Sequence, residues 1–285
     1  MKTLHTVDEI KKLLSQGKAL FLAGDEKLLC QLPSGNWIGG TIPYFMSERG
    51  GLLTHDLIQV TELPSFVSDI RIKSYDQTQL HNIPRDYANN GVSLIVIPAF
   101  SGVHEIFAKD CSTYDGLFDR PLVGWITGID LSQTEGATPK VMDGSTGTIY
   151  TNKALVMHVS LPDKKYGKVN ILNLFHQGHG DIITFPQTGF ETTDCVINGK
   201  PGNFAEYIQT QHINTQLPLV ANYLGAMINV SVRNCDTANK KVSFYAPVFP
   251  GIEYRFAHPV DNYEESFKAE LNKRNVHPVF TCNCI

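Results

Sequence analysis

The chain has 285 residues, enough for one large domain or two ordinary ones, each with its own core. Hydrophobic residues make up 42% and charged residues 18%, against roughly 25% charge in typical domains, which excludes a disordered, solvating chain. The formal net charge is −4 and no window forms a basic stripe, which argues against a nucleic-acid binder; no apolar run reaches the ~18 residues of a membrane helix.

Met1-Lys-Thr-Leu-His5 lacks the apolar core of a secretory signal, so a cytoplasmic location is expected. Thr6-Val-Asp-Glu9 reads as a capping box opening a helix, with Ile10, Leu13 and Leu14 at helical spacing and Gly17 as its stop. Lys18 to Ala23 is a short buried strand. Leu28 to Leu32, the turn Pro33-Ser-Gly-Asn36 and Trp37 to Met46 read as a hairpin. Gly39-Gly40 inside its second arm predicts a bulge or the close approach of a backbone or ligand. Strands are expected over Leu52 to Val60 and Asp69 to Lys73, then a weak helix from Asp76 to Ala88 broken at Pro84. A buried strand over Gly91 to Ala99 leads, through Ser101 as N-cap, to a helix from Gly102 to Lys109.

Pro121 to Ile129 is another strand, and Met142 to Ser160 a hairpin around Asp143-Gly-Ser-Thr-Gly147 with Ala154 to Val159 as its second arm. The polar run Leu161 to Gly167 marks a division, giving halves 1–162 and 163–285. The second half predicts strands near 168–173, 181–185, 193–198, 225–233, 241–246 and 252–257. Helices are expected over Gly202 to Gln211 and Asn262 to Asn275, with Phe267 and Leu271 on one face of the latter, and a last strand from Val279 to Cys282. Strands outnumber helices, so the expected class is α/β in the α+β sense: mixed sheets with helices packed on them, in two similar-sized halves.

The six cysteines, Cys30, Cys111, Cys195, Cys235, Cys282 and Cys284, are dispersed in a large chain and read as free thiols. His176 and His179 with Asp181 have side chains that ligate zinc or iron, but their Gly-rich setting reads more readily as a turn. Cys282 and Cys284 fall on one face of the expected last strand, as a metal or redox pair or as small buried side chains. Asp143-Gly-Ser-Thr-Gly147 lacks the Lys-Ser/Thr ending of a phosphate loop, and neither a dinucleotide fingerprint nor a Gly-x-Ser-x-Gly elbow is present. A binding module is therefore favoured over an enzyme; the alternative is an enzyme using Cys282 or Cys284 with a histidine, or a metal at His176 and His179.

In order along the chain, four stretches resemble the FIST domain, a sensory ligand-binding module with N- and C-terminal halves. Asn36-Trp-Ile-Gly-Gly-Thr-Ile42 is similar to its Gly-x-Ser/Thr-Thr-x-Gly strand. Pro121-Leu-Val-Gly-Trp-Ile-Thr-Gly128, followed by Val141-Met-Asp-Gly144 and Ala154-Leu-Val156, resembles its Pro-hydrophobic-hydrophobic-Gly-Gly-x-Ala-Gly segment, later turn and closing strand. Ile197 to Tyr207 resembles its Asp-Gly-x-Pro-Ala-x-x-x-Tyr element, and Val279-Phe-Thr-Cys282 its Phe-Ser-Cys strand. Trp125 stands where the family has a second glycine, and the family's C-terminal Gly-Glu element is absent, so the second half reads as incomplete. The resemblance implies a sensor of small molecules such as amino acids, acting beside a histidine kinase or a cyclic-dinucleotide enzyme. A pocket between the halves would be lined by Gly39, Gly40, Thr41, Trp125, Thr127 and Asn203, with Cys282 also at the ligand. No cofactor is expected; haem, which some relatives bind, would need His104, His158, His176, His179 or a Cys thiolate as axial ligand.

Overall fold

A computed structural model describes residues 3–47, 50–132, 136–223, 225–274 and 278–282. The chain is mixed α+β, 37% strand against 19% helix, so sheets carry its cores. It divides into two unequal compact units. The first is Met1–Val169 with the C-terminal residues from His277 onward; the second is Asn170–Val276. The division thus lies seven residues beyond the expected boundary at 162/163, and the chain end joins the first unit, where the Phe280 ring packs edge-on against Phe21 at 5.2 Å.

The first unit begins with β1 (Leu4–His5) and α1 (Val7–Ser15). In α1 the Thr6 hydroxyl accepts from Glu9 N, and the Glu9 carboxylate accepts from Thr6 N, the reciprocal pairing the sequence predicts. Then come β2 (Leu20–Gly24), a single-turn α2 (Glu26–Leu29) and β3 (Trp37–Thr41). The expected hairpin at 28–46 does not form. Asp25 accepts from Lys27 N and starts a helical turn, and the crossover returns β3 parallel to β2, Leu20 opposite Trp37 and Gly24 opposite Thr41. β4 (Tyr44–Ser47) and β5 (Gly50–Leu53) make a separate two-stranded ribbon, followed by β6 (Ile58–Glu62), β7 (Asp69–Tyr75), a 3-10 turn over Leu80–Asp86 and β8 (Gly91–Pro98).

α3 (Gly102–Asp110) is capped by Ser101, and β9 (Leu122–Thr127) pairs parallel to β8. β10 (Val141–Asp143) and β11 (Thr148–Tyr150) form the hairpin around 143–147. Its second arm is 148–150, because β12 (Ala154–Ser160) leaves for the other sheet.

Two sheets result, in the orders β1-β6-β2-β3-β10-β11 and β7-β12-β8-β9. Alternation along β2 shows how they stack. Leu20 and Leu22 face α1 and α2, with Ile10, Leu28, Leu29 and Trp37; Phe21, between them, faces the second sheet with Ile38, Val96, Leu155 and Met157. The far side of the second sheet, Tyr75, Ile95, Ile97 and Val156, is covered by Leu80, Ile83 and Val103. The layers run helix, sheet, sheet, helix. Both faces of β8 and β12 are buried, which explains their near-continuous apolar runs, interrupted by the paired Ser93 and His158.

The second unit has β13 (Ile183–Thr184), β14 (Gly189–Thr192), β15 (Asp194–Ile197), β16 (Lys200–Asn203), α4 (Phe204–Thr210), β17 (Leu219–Tyr223), β18 (Ala226–Val230), β19 (Val232–Asp236), β20 (Lys241–Val248), β21 (Tyr254–Phe256) and α5 (Tyr263–Arg274). The sheets order as β16-β15-β13-β21-β17-β18 and β14-β20-β19. Asn198 and Gly199, both at positive φ, turn β15 into β16. Phe185, Phe204, Phe244 and Tyr254 meet edge-on or tilted in its core. The strands expected at 168–173 and 279–282 are absent, and α5 buries none of its described residues: Leu271 stays 38% exposed. No described helix is long and apolar enough to cross a membrane.

Candidate functional site

Parallel strands end together, so the carboxyl ends of β2 and β3 open onto the same edge of the first sheet, a place where open α/β sheets hold ligands. A pocket of about 200 Å³ lies there, within the first unit. Asp25 and Glu26 enter it from the turn after β2, and Thr41 from the end of β3. His55 enters from the turn between β5 and β6, and Gly128 to Asp130 from the exit of β9. Lys140 arrives just before β10.

The local chain chemistry fixes each segment. Asp25 spends Oδ1 on its N-cap bond to Lys27 N, which leaves Oδ2 to the pocket. Gly128 N donates to Thr41 O at 2.7 Å and ties the β9 exit to the end of β3. Thr41 Oγ1 accepts from Lys140 N at 2.9 Å and sets the start of β10.

Two charge groupings face this space. His55 lies between two carboxylates, Nδ1 at 2.8 Å from Asp25 Oδ2 and Nε2 at 3.2 Å from Asp130 Oδ2. Hydrogen bonding to Asp25 raises its pKa most; burial opposes this, and the weaker bond to Asp130 adds to the rise. Asp130 Oδ1 accepts from Ser132 Oγ and N and from Tyr44 OH, and the Ser132 bonds dominate in holding this carboxyl below its ordinary range. Beside them Lys140 Nζ reaches both Glu26 oxygens, at 2.6 and 2.7 Å. With a carboxylate at each ring nitrogen, the protonated His55 has no lone pair to offer as a base. Cys30, at the end of α2, has its thiol pushed up by burial and by Glu26, which leaves little thiolate for nucleophilic chemistry.

A second polar cluster lies buried on the outer face of the β7-β12-β8-β9 sheet. Ser93 Oγ is 2.9 Å from His158 Nδ1, Tyr75 OH is 2.8 Å from His158 Nε2, and Tyr75 OH also donates to Asp86 Oδ2 at 2.8 Å. Lys73 Nζ lies 2.6 Å from Asp86. The ionised carboxylate only accepts, so Tyr75 donates to it. The Tyr75 oxygen then accepts from Nε2–H, and His158 Nδ1 accepts from Ser93. Burial holds His158 down to about 4. Ser93 is 2% exposed, so its oxygen has no open side from which to attack a substrate.

The residues expected at a ligand scatter relative to this geometry. Thr41 lines the pocket. Gly40 and Thr127 lie just behind it: a Cβ on Gly40 would overlap the Thr127 methyl and come within 3.0 Å of the Trp125 ring, so side-chain packing explains that glycine. Gly39 packs on the Leu22 backbone. Thr127 is fully buried, and its Oγ1 has no partner among the described residues. Asn203 belongs to the second unit, where it caps α4 through Glu206 N and donates to Thr193 O and Lys240 O. Cys282 is exposed, and Cys284 lies outside the described residues.

His158 has both nitrogens committed and offers none to haem iron. Asp181 accepts from Asn198 and Tyr207 rather than joining His176 and His179, and no group of three potential metal ligands forms among the described residues. A shallow depression of about 510 Å³ on the second unit has only Glu253 as an ionisable lining residue, and its Gln177 amide is spent on the Val220 and Glu253 carbonyls.

Asp25, His55, Asp130 and Lys140 escaped the sequence reading. A signal was present: Gly24-Asp25 places an acid directly after a buried strand, and Gly128-Ile-Asp130 places one three residues beyond β9.

A family model covers residues 5–285, and the chain belongs to that family, described as a family of unknown function (DUF6976). No curated protein and no solved structure matches it.

Proposed function

We propose that this member of the DUF6976 family binds a small zwitterion of amino-acid size in the first unit's pocket, and binds it without turning it over. The observation that carries the reading is the meeting of two groupings of mixed charge, Lys140 with Glu26 and His55 with Asp25 and Asp130, side by side in one pocket at the ends of parallel strands. A ligand carrying both signs finds a partner of each sign in both groupings. A volume near 200 Å³ is below the ~300–1,000 Å³ of sites for drug-sized molecules, which favours an amino acid over a nucleotide.

The resemblance to FIST modules supports a sensory role, with a histidine kinase or cyclic-dinucleotide enzyme as the protein that receives the signal. Cys30, Cys111, Cys195 and Cys235 are free thiols, which supports a reducing, cytoplasmic setting.

The test is thermal unfolding of the intact chain with each proteinogenic amino acid at millimolar concentration. A ligand that binds only the native state raises the melting temperature in proportion to the logarithm of its concentration. At least one amino acid is expected to do so, and to lose the effect in Lys140→Met. A flat panel, or a shift that Lys140→Met retains, contradicts the reading.

A further inference from the structure

A neutral imidazole carries one N–H, and its other nitrogen bears a lone pair. His55 has a carboxylate at each nitrogen, so both contacts are attractive only while the ring holds two protons. The remaining groups here are accounted for. Glu26 and Lys140 pair with each other, Tyr44 donates to Asp130, and the neighbouring Asp56 is exposed. The imidazolium is thus the cation that serves Asp25 and Asp130 together. These acids stand on different segments, Asp25 at the start of α2 and Asp130 beyond β9.

We propose that His55 is a proton-operated clasp across the pocket: charged, it fastens the β9 exit to the turn after β2; neutral, it keeps Asp25 and releases Asp130. Asp130 is the end that lets go because its contact is the longer, 3.2 against 2.8 Å, and because Ser132 and Tyr44 already hold its other oxygen. The raised pKa of His55 agrees with this, since each carboxylate favours the protonated ring. Its role as a gate for ligand rests on the pocket being the binding site: release frees the wall at Gly128 to Asp130, so ligand affinity falls as pH rises through the His55 midpoint.

The test is a nitrogen-15 NMR titration of the ligand-free intact chain. The His55 midpoint is expected above the ordinary value of about 6.5. Above the midpoint the proton is expected on Nδ1, with the amides of 128–132 shifting at that same midpoint. In Asp130→Asn, the amide oxygen keeps the Ser132 and Tyr44 bonds while its NH2 donates to neutral Nε2, so the clasp needs no extra proton. The midpoint is then expected to fall, and the 128–132 amides to stop responding to it. An unchanged midpoint in the variant, or amides at 128–132 indifferent to the wild-type titration, overturns the proposal. Should the variant fail to fold, the wild-type tautomer and amide shifts decide alone. No ligand enters this titration, so a flat amino-acid panel and a failed clasp are separate results.

Discussion

His158 makes the first unit's stability depend on pH in a direction and size the structure sets. Its folded pKa is held near 4 by burial, while in the unfolded chain it takes the ordinary value of about 6.5. Folding therefore excludes a proton. The stability this represents is complete above pH 6.5 and is lost as pH falls towards 4. A difference of about 2.5 units at 1.36 kcal/mol each gives about 3 kcal/mol in all, of which about 2.5 kcal/mol is gone by pH 4.5. The perturbation is His158→Gln, which keeps polar atoms near Ser93 and Tyr75 but cannot titrate. The assay is urea unfolding at several values between pH 7 and 4.5, followed by the fluorescence of Trp37 and Trp125, both in the first unit. The variant is less stable at pH 7, and its curve against pH is expected to be shallower than the wild type's by about 2.5 kcal/mol over that range. Parallel curves refute the assignment of His158 as a buried neutral group locked between Ser93 and Tyr75.

Gly40→Ala forces the Thr127 and Trp125 side chains to move and is expected to cost about 1–3 kcal/mol by chemical denaturation. Gly124→Ala is expected to be worse, because its Cβ would overlap the Ile95 backbone carbonyl across the β8–β9 ladder; soluble yield compared with Gly40→Ala checks the order. Asn203→Ala removes the α4 cap and is expected to cost about 1 kcal/mol in the second unit, read by urea unfolding, with the pH response of His55 unchanged.

Much of the fold was legible wherever local chemistry and tertiary context agree. Thr6 and Glu9 place α1, Ser101 places α3, and the largely apolar run at 91–99 marks a strand buried on both faces. The misreadings share a cause. Hydrophobic pattern says that a segment is a strand but not which strand it pairs with. Leu28 to Met46 therefore read as a hairpin although α2 carries the chain to a parallel partner, and Ala154 to Val159 read as the arm of a hairpin although it lies in the other sheet. α5 shows the reverse case, a helix its local sequence supports although no buried face holds it.

The pocket was less legible. Thr41 was reached through its glycine neighbours, but Asp25, His55, Asp130 and Lys140 stand on four separate segments. The parallel ends of β2 and β3, the pairing of β6 with β2, the bond from Gly128 N to Thr41 O and the pairing of β10 with β3 bring them together.

Binding at the β2–β3 carboxyl ends is tested most directly by mapping amide shifts of the intact chain while titrating the amino acid that most raises its melting temperature, or glycine and L-alanine if none does. Saturable shifts concentrated at residues 25–26, 41–42, 55, 128–130 and 136–140 are predicted. Saturable shifts centred elsewhere, or spectra that no amino acid perturbs, contradict it.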